Sequence, residues 1–156
     1  MAPQAEDAQI RPMTDGDLTR VMEIAASLQG LPHWPESAYL GALNPESTPR
    51  RIALVATVSG NVQGFTVASL LPPQAELESI GVAPRSQRMG LGRTLFDALV
   101  KELRAADVAE IVLEVRASNH DALAFYRSAG FSQTGLRRAY YVDPIEDASL
   151  MRFRLP

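Results

Sequence analysis

Gln87-Arg88-Met89-Gly90-Leu91-Gly92 follows a strand-like segment at 77–82 and opens a long amphipathic helical pattern. A helix entered through two glycines and no side-chain cap leaves its first backbone N–H groups bare. Those donors and the positive end of the helix dipole make an anion seat, so the stretch points to a ligand that carries phosphate. The neighbouring residues argue against two such ligands. A Walker loop needs Gly-Lys-Ser/Thr, whereas Gly92-Arg93-Thr94 stands here with no glycine five residues earlier. The dinucleotide fingerprint needs a third glycine where Leu95 stands.

On the C-terminal side, Leu91, Leu95, Leu99 and Leu103 recur at i+4 and predict a helix over 90–106 with one apolar stripe. A strand at 110–116 follows. Ser118-Asn119-His120-Asp121 then reads as the capped start of a helix over 122–129 that Gly130 ends. Residues 131–142 and 148–155 read as two closing strands. Towards the N-terminus, 76–82 is a strand preceded by the breaker Pro72-Pro73. The β-branched runs 51–58 and 62–71 form a hairpin about Ser59-Gly60-Asn61. Further back lie a short helix at 36–43, turn formers at 30–35, a helix through Leu28 begun by the capping-box pattern Thr14-Asp15-Gly16-Asp17, and a first strand at 9–13. The order β-α-α-β-β-β-α-β-α-β-β is that of one α/β sheet carrying helices.

The 156 residues suit one domain over 1–156, with 1–8 as a flexible extension. A net charge of −3 leaves no broad electrostatic footprint for nucleic acid. The absence of cysteine removes disulfides, thiolate metal sites and a cysteine nucleophile. The polar start does not read as a signal peptide, and no apolar run reaches the roughly 20 residues of a membrane span. A cytoplasmic protein is expected. His33 and His120 have no ligand-spaced partner, so no metal is expected.

Gln87-x-x-Gly90-x-Gly92 after a strand ending Gly81-Val82-Ala83-Pro84, followed by Asn119, Tyr126 and Gly130-Phe131 at their spacings, resembles the acetyl-CoA-dependent GNAT N-acetyltransferase superfamily. Leu113-Glu114-Val115-Arg116-Ala117-Ser118-Asn119, Arg137-Arg138-Ala139-Tyr140-Tyr141 and Glu146-Asp147-Ala148 resemble its RimI family, which acetylates the N-terminal alanine of a small-subunit ribosomal protein. The resemblance implies a mixed sheet of about seven strands and four helices, with the fourth and fifth strands splayed. It implies acetyl-CoA as cosubstrate and a peptide or protein N-terminus as acceptor, and leaves monomer and homodimer both open.

In such enzymes the loop carrying Gln87, Arg88, Met89, Gly90, Leu91, Gly92 and Arg93 holds the pyrophosphate. The backbone of Ile80, Gly81 and Val82 pairs with the pantetheine arm like an added strand. Asn119 would bond a pantetheine amide or cap its helix, with Ser118 as the other candidate cap. RimI-like enzymes place their base at Glu114, and the GNAT tyrosine that protonates the departing thiolate falls on Tyr126.

The residues themselves bear on these roles. An α-amine with a pKa of about 8 costs only roughly 1 kcal/mol to deprotonate at pH 7, and a lysine about 4 to 5, so an N-terminal acceptor needs only a modest base. Ile111, Leu113 and Val115 share one strand face, which leaves Glu114 on the other between Val112 and Arg116. There it serves as the base or forms a salt bridge with Arg116 or Arg138. Glu76 and Glu78 share a face of the fourth strand and compete for the same work. Tyr126 is an acid or, like Phe125, a core aromatic.

For the acceptor, the candidates are Trp34 in the early loop with His33 and Pro35, together with Arg138, Tyr140 and Tyr141. Pro35 stands where RimI-like chains carry serine, and Ala139 where they carry asparagine. Acetylation of a small-molecule amine or a lysine, and a non-catalytic acyl-CoA sensor, are the competing functions. Retention of both Glu114 and Tyr126 argues against the sensor, since binding alone needs neither.

Overall fold

Leu91, Leu95, Leu99 and Leu103 are all buried along α3 (Leu91–Ala105), which lies across the sheet in a computed structural model that describes residues 7–156. The sheet has seven strands: β1 (Ala8–Pro12), β2 (Arg51–Val58), β3 (Asn61–Leu71), β4 (Gln74–Val82), β5 (Glu110–Arg116), β6 (Ser132–Tyr141) and β7 (Glu146–Arg154). The other helices are α1 (Leu18–Ala26), α2 (Glu36–Leu43) and α4 (His120–Ala129). The chain order is the one expected. The spatial order is β1-β2-β3-β4-β5-β7-β6, so β7 inserts between β5 and β6. All neighbours are antiparallel except β4 and β5.

Each boundary difference has a local cause. β4 starts at Gln74 because Leu71 pairs with Gln74 around Pro72-Pro73, which makes the prolines a two-residue turn. α4 starts at His120, two residues early, because Asn119 caps it, accepting from the Ala122 N–H at 3.3 Å. Ser118 instead donates its backbone N–H to Glu146 Oε1 at 2.7 Å. Of the expected extension 1–8, residues 1–6 lie outside the described part, and Ala8 already pairs with Val58 in β1. At the start of α1, the Asp17 carboxylate accepts from the Thr14 N–H at 2.8 Å and from the Arg11 guanidinium at 2.7 and 2.8 Å.

Two cores flank the sheet. α3 and α4 pack on one face against Leu54, Ala56, Leu77, Ile111, Leu113 and Met151. α1 and α2 pack on the other against Val55, Phe65 and Val67. Apolar residues on both faces of β2 explain its unbroken hydrophobic run. The α1–α2 layer reaches only as far as β4, so the same face of β5 stays open beside it.

The site is made by a β-bulge. Val67 pairs with Ser79 but Ala68 pairs with Leu77, so Glu78 is an extra residue in β4. The extra residue reverses the side-chain alternation: Ala75 and Leu77 face α3 before it, Ile80 and Val82 after it. β4 and β5 pair only through Gln74–Glu110, Ala75–Ile111 and Glu76–Val112. Beyond Glu76 the strands separate, which is the expected splay.

Candidate active site

A cavity of about 1390 Å³ occupies the split between β4 and β5. At one end stands the loop before α3. Gly90 adopts φ 80° and Arg88 φ 65°, which turns the chain into the helix without a side-chain cap. Gln87 Nε2 ties the loop back to the Val82 carbonyl at 3.1 Å. The first helical bond runs from the Thr94 N–H to the Gly90 carbonyl at 3.0 Å, so the N–H groups of Leu91, Gly92 and Arg93 have no partner within the helix. Gln87, Arg88, Gly90, Leu91, Gly92 and Arg93 line the cavity, and Met89 does not. A Cβ on Gly92 would stand 3.1 Å from the Phe125 ring, so the bare glycine is what lets α4 close onto this end. Phe125 packs against the core beneath α3, as expected, and also lines this end of the cavity.

Ile80, Gly81 and Val82 line the middle of the cavity on the stretch of β4 that β5 no longer pairs, which leaves its backbone groups on that edge unclaimed by the sheet. Asn119 stands opposite. Its side chain both caps α4 and meets the α1–α2 connection, where a Cβ on Gly30 would fall 2.5 Å from Asn119 Nδ2.

The other end is acidic and aromatic. Glu114 lies on the open face of β5, as its alternation required, between the buried Leu113 and Val115. Its carboxylate is 3.7 Å from Arg137 Nε. A hydrogen bond and the charge of Glu114 raise the Tyr140 phenol above its usual pKa. Glu76 is raised by burial first and then by the charges of Glu78 and Glu114. Glu78 is held by Arg51, Nε to Oε1 at 2.7 Å, and that guanidinium lies 6.0 Å from the Trp34 ring. Trp34 in turn packs on Tyr39 at 5.3 Å.

Tyr126 lines the cavity with its ring against Phe125 and Phe131, and burial pushes its phenol up to about 12. Tyr141 is raised chiefly by burial, and the Arg116 guanidinium sits 4.4 Å over its ring.

Trp34, Glu76, Glu78, Glu114, Tyr126, Tyr140 and Tyr141 therefore share one cavity with the glycine loop. Two expectations about the arginines fail. Arg116 is engaged by Glu146 at 3.6 Å and by the carbonyls of Val142 and Pro144, so it does not pair with Glu114. Arg138 is exposed and lines no part of the cavity, because Arg137 takes the face towards Glu114 and the next residue turns away. After Arg137 the β6–β7 register slips, with Ala139 at φ 51° and its N–H donating to Asp147 Oδ1 at 2.9 Å. Reading along the chain also missed Arg51, whose place beside Glu78 follows only from the β2-β3-β4 meander. Among the described residues, no group of three or more His, Cys, Asp or Glu side chains is arranged to hold a metal.

A sequence model of the acetyltransferase (GNAT) family matches residues 18–131. The chain belongs to the GNAT acetyltransferase family. GNAT enzymes use acetyl-CoA. The ribosomal protein bS18-alanine N-acetyltransferase of Escherichia coli is 43% identical over 97 residues, a stretch covering 61% of this chain and 66% of that enzyme, just under two thirds of its length. The N-alpha-acetyltransferase RimI of Mycobacterium tuberculosis is 37% identical over 157 residues, covering 97% of this chain and 96% of that one. The crystal structure of the Escherichia coli ribosomal-protein alanine N-acetyltransferase superposes with a TM-score of 0.82 at 33% identity, covering 95% of this chain and 94% of that one. This GNAT chain shares the mixed sheet and four helices of that fold.

Proposed function

We propose that the protein transfers the acetyl group of acetyl-CoA directly to the α-amine of a protein N-terminus, with an alanine-first ribosomal protein as acceptor. One observation carries this reading: Glu114 and Tyr126 line the same split as the bare N-terminus of α3. The names borne by the Escherichia coli and Mycobacterium tuberculosis relatives support the acceptor. Cytoplasmic action goes with it, since acetyl-CoA and new protein N-termini meet there.

In this reading the N–H groups from Arg88 to Arg93 hold the pyrophosphate, and the β4 edge at Ile80, Gly81 and Val82 pairs with the pantetheine amides, with Asn119 opposite. Glu114 takes a proton from the amine, directly or through one water. The amine nitrogen then bonds to the thioester carbon and gives up its second proton to water, while the C–S bond breaks, sending its electron pair to sulfur, and the thiolate takes its proton from solvent on release. Tyr126 meets that sulfur. A phenol at about 12 facing a thiol near 8.5 would lose about 5 kcal/mol by full transfer, so Tyr126 acts by donating a hydrogen bond to the developing thiolate. At the acceptor end Glu76, beside Glu114, adds negative charge that suits a cationic N-terminus, whereas the charge of Glu78 is matched by Arg51.

The test mixes purified protein, acetyl-CoA and an alanine-first peptide. Thiol release with one acetyl group gained at the peptide α-amine is expected. Release only with free small amines would reassign the acceptor, and binding without turnover would sink catalysis.

A further inference from the structure

The Glu114 carboxylate already has a cation beside it, and that cation is held loosely. Arg137 Nε stands 3.7 Å from Glu114 Oε1, beyond hydrogen-bond reach, and the Arg137 side chain is 56% exposed against 26% for Glu114. The guanidinium also lies 5.3 Å from the ring of Tyr140, whose phenol bonds Glu114 in turn. Among the described residues the Arg137 guanidinium donates no hydrogen bond. Its neighbours differ. Arg51 is bonded to Glu78, and Arg116 to the carbonyls of Val142 and Pro144 beside its ion pair with Glu146.

An exposed ion pair without a hydrogen bond is worth little, because water screens the charges and ordering two long side chains costs entropy. Arg137 is thus near enough to occupy the carboxylate and free enough to leave it. An empty acceptor end gives it a reason to stay, since Glu114 and Glu76 repel each other there. A protonated α-amine seeks the same oxygens. As a hydrogen-bond donor it would approach to about 3 Å, closer than the guanidinium stands, and the two cations would repel. The shorter contact wins. Arg137 has a way out, because β6 is the edge strand of the sheet and the residue is exposed on it.

We propose that Arg137 is a stand-in for the acceptor's ammonium: it occupies Glu114 while the acceptor end is empty, and the arriving N-terminus displaces it. Arg137 then sets acceptor affinity by competition and takes no part in the transfer. The competition is between charges, so it acts against a cationic N-terminus and not against the acetylated product, which has no charge to bring to Glu114. This inference rests on the N-terminal acetyltransferase reading above.

The test compares wild type, Arg137→Gln and Arg137→Lys on an alanine-first peptide, with the N-acetylated peptide as inhibitor. We expect Arg137→Gln to lower the peptide KM about threefold, the size of one screened ion pair, with kcat and the acetyl-CoA KM held within about twofold. Inhibition by the acetylated peptide should not change, and Arg137→Lys should keep the wild-type KM. Dilute guanidinium chloride should raise the peptide KM of Arg137→Gln back towards wild type, where sodium chloride of equal ionic strength does less. A fall in kcat with the peptide KM unchanged or raised would make Arg137 a support of the base, and would overturn the proposal. So would an unchanged KM, or peptide and acetylated peptide tightening equally, and each of these leaves the acetyltransferase reading standing. A wild type inactive on every N-terminal peptide would overturn both.

Discussion

Arg51 Nε donates to Glu78 Oε1 across 2.7 Å, joining β2 to the bulge of β4 over the intervening β3. Both side chains are half-buried, so the ion pair fixes where the Glu78 carboxylate stands. Glu114 has a looser partner, Arg137 at 3.7 Å. Glu78→Gln should therefore lower unfolding free energy by about 1.5–3 kcal/mol, while kcat changes no more than about threefold. Glu114→Gln should do the reverse, lowering kcat by about 100-fold or more with little change in the unfolding midpoint. Steady-state kinetics beside urea unfolding separates the two, and an exchange of these outcomes would make Glu78 the base.

Tyr126→Phe removes the donor to sulfur and should lower kcat by about 10- to 100-fold at constant acetyl-CoA KM. The raised pKa, about 12, means the phenol stays protonated well above pH 10. In wild type the rate should show no fall near pH 10 of the kind an ordinary tyrosine would give. A fall there that Tyr126→Phe abolishes would show that the loaded cavity does not keep this proton.

Gly30 has φ 83° and leaves no room for a Cβ beside Asn119 Nδ2. Gly30→Ala should lower stability by about 1–2 kcal/mol from backbone strain alone. It should also raise KM for both substrates, because the contact joins the acceptor connection to the cap of α4. Unchanged KM values would confine the role of Gly30 to folding.

Ala139 holds φ 51°, a conformation that asparagine and glycine tolerate better than alanine. Ala139→Asn should raise the stability of the β6–β7 hairpin by roughly 0.5–1 kcal/mol, read as a higher thermal midpoint. The asparagine usual at this place in RimI-like chains thus has a backbone reason. A lower midpoint would contradict it.

Asp17 is 7% exposed, and hydrogen bonding to Arg11 is the chief cause of its carboxyl dropping to about 2. A depressed acid stabilises the fold above its unfolded pKa and loses that contribution as pH falls through the folded one. The window here runs from about pH 4 to pH 2, and the contribution above it is about 2 kcal/mol. Asp17→Asn should cost about that much at pH 7 and only a small part of it at pH 2, as read by denaturant unfolding at both pH values.

Local chemistry made much of this protein legible in the chain. The i+4 leucines of α3, the hairpin at Ser59-Gly60 and the alternation about Glu114 depend on neighbours a few residues away, so their pattern survives in one dimension. So does the glycine turn that bares the first amides of α3. Strand order and register do not survive, because they depend on which distant edges pair. Only the folded sheet inserts β7 beside β5, brings Arg137 rather than Arg116 or Arg138 to Glu114, and sets Arg51 against Glu78. The same holds for the single extra residue at Glu78. Periodicity in β4 cannot show a bulge whose meaning lies in β3, yet that residue turns Ser79 from the α3 core to the face beneath α1 and α2. The sequence by itself determined the elements and the bare N-terminus of α3; the tertiary pairing decided which side chains meet at the far end of the cavity.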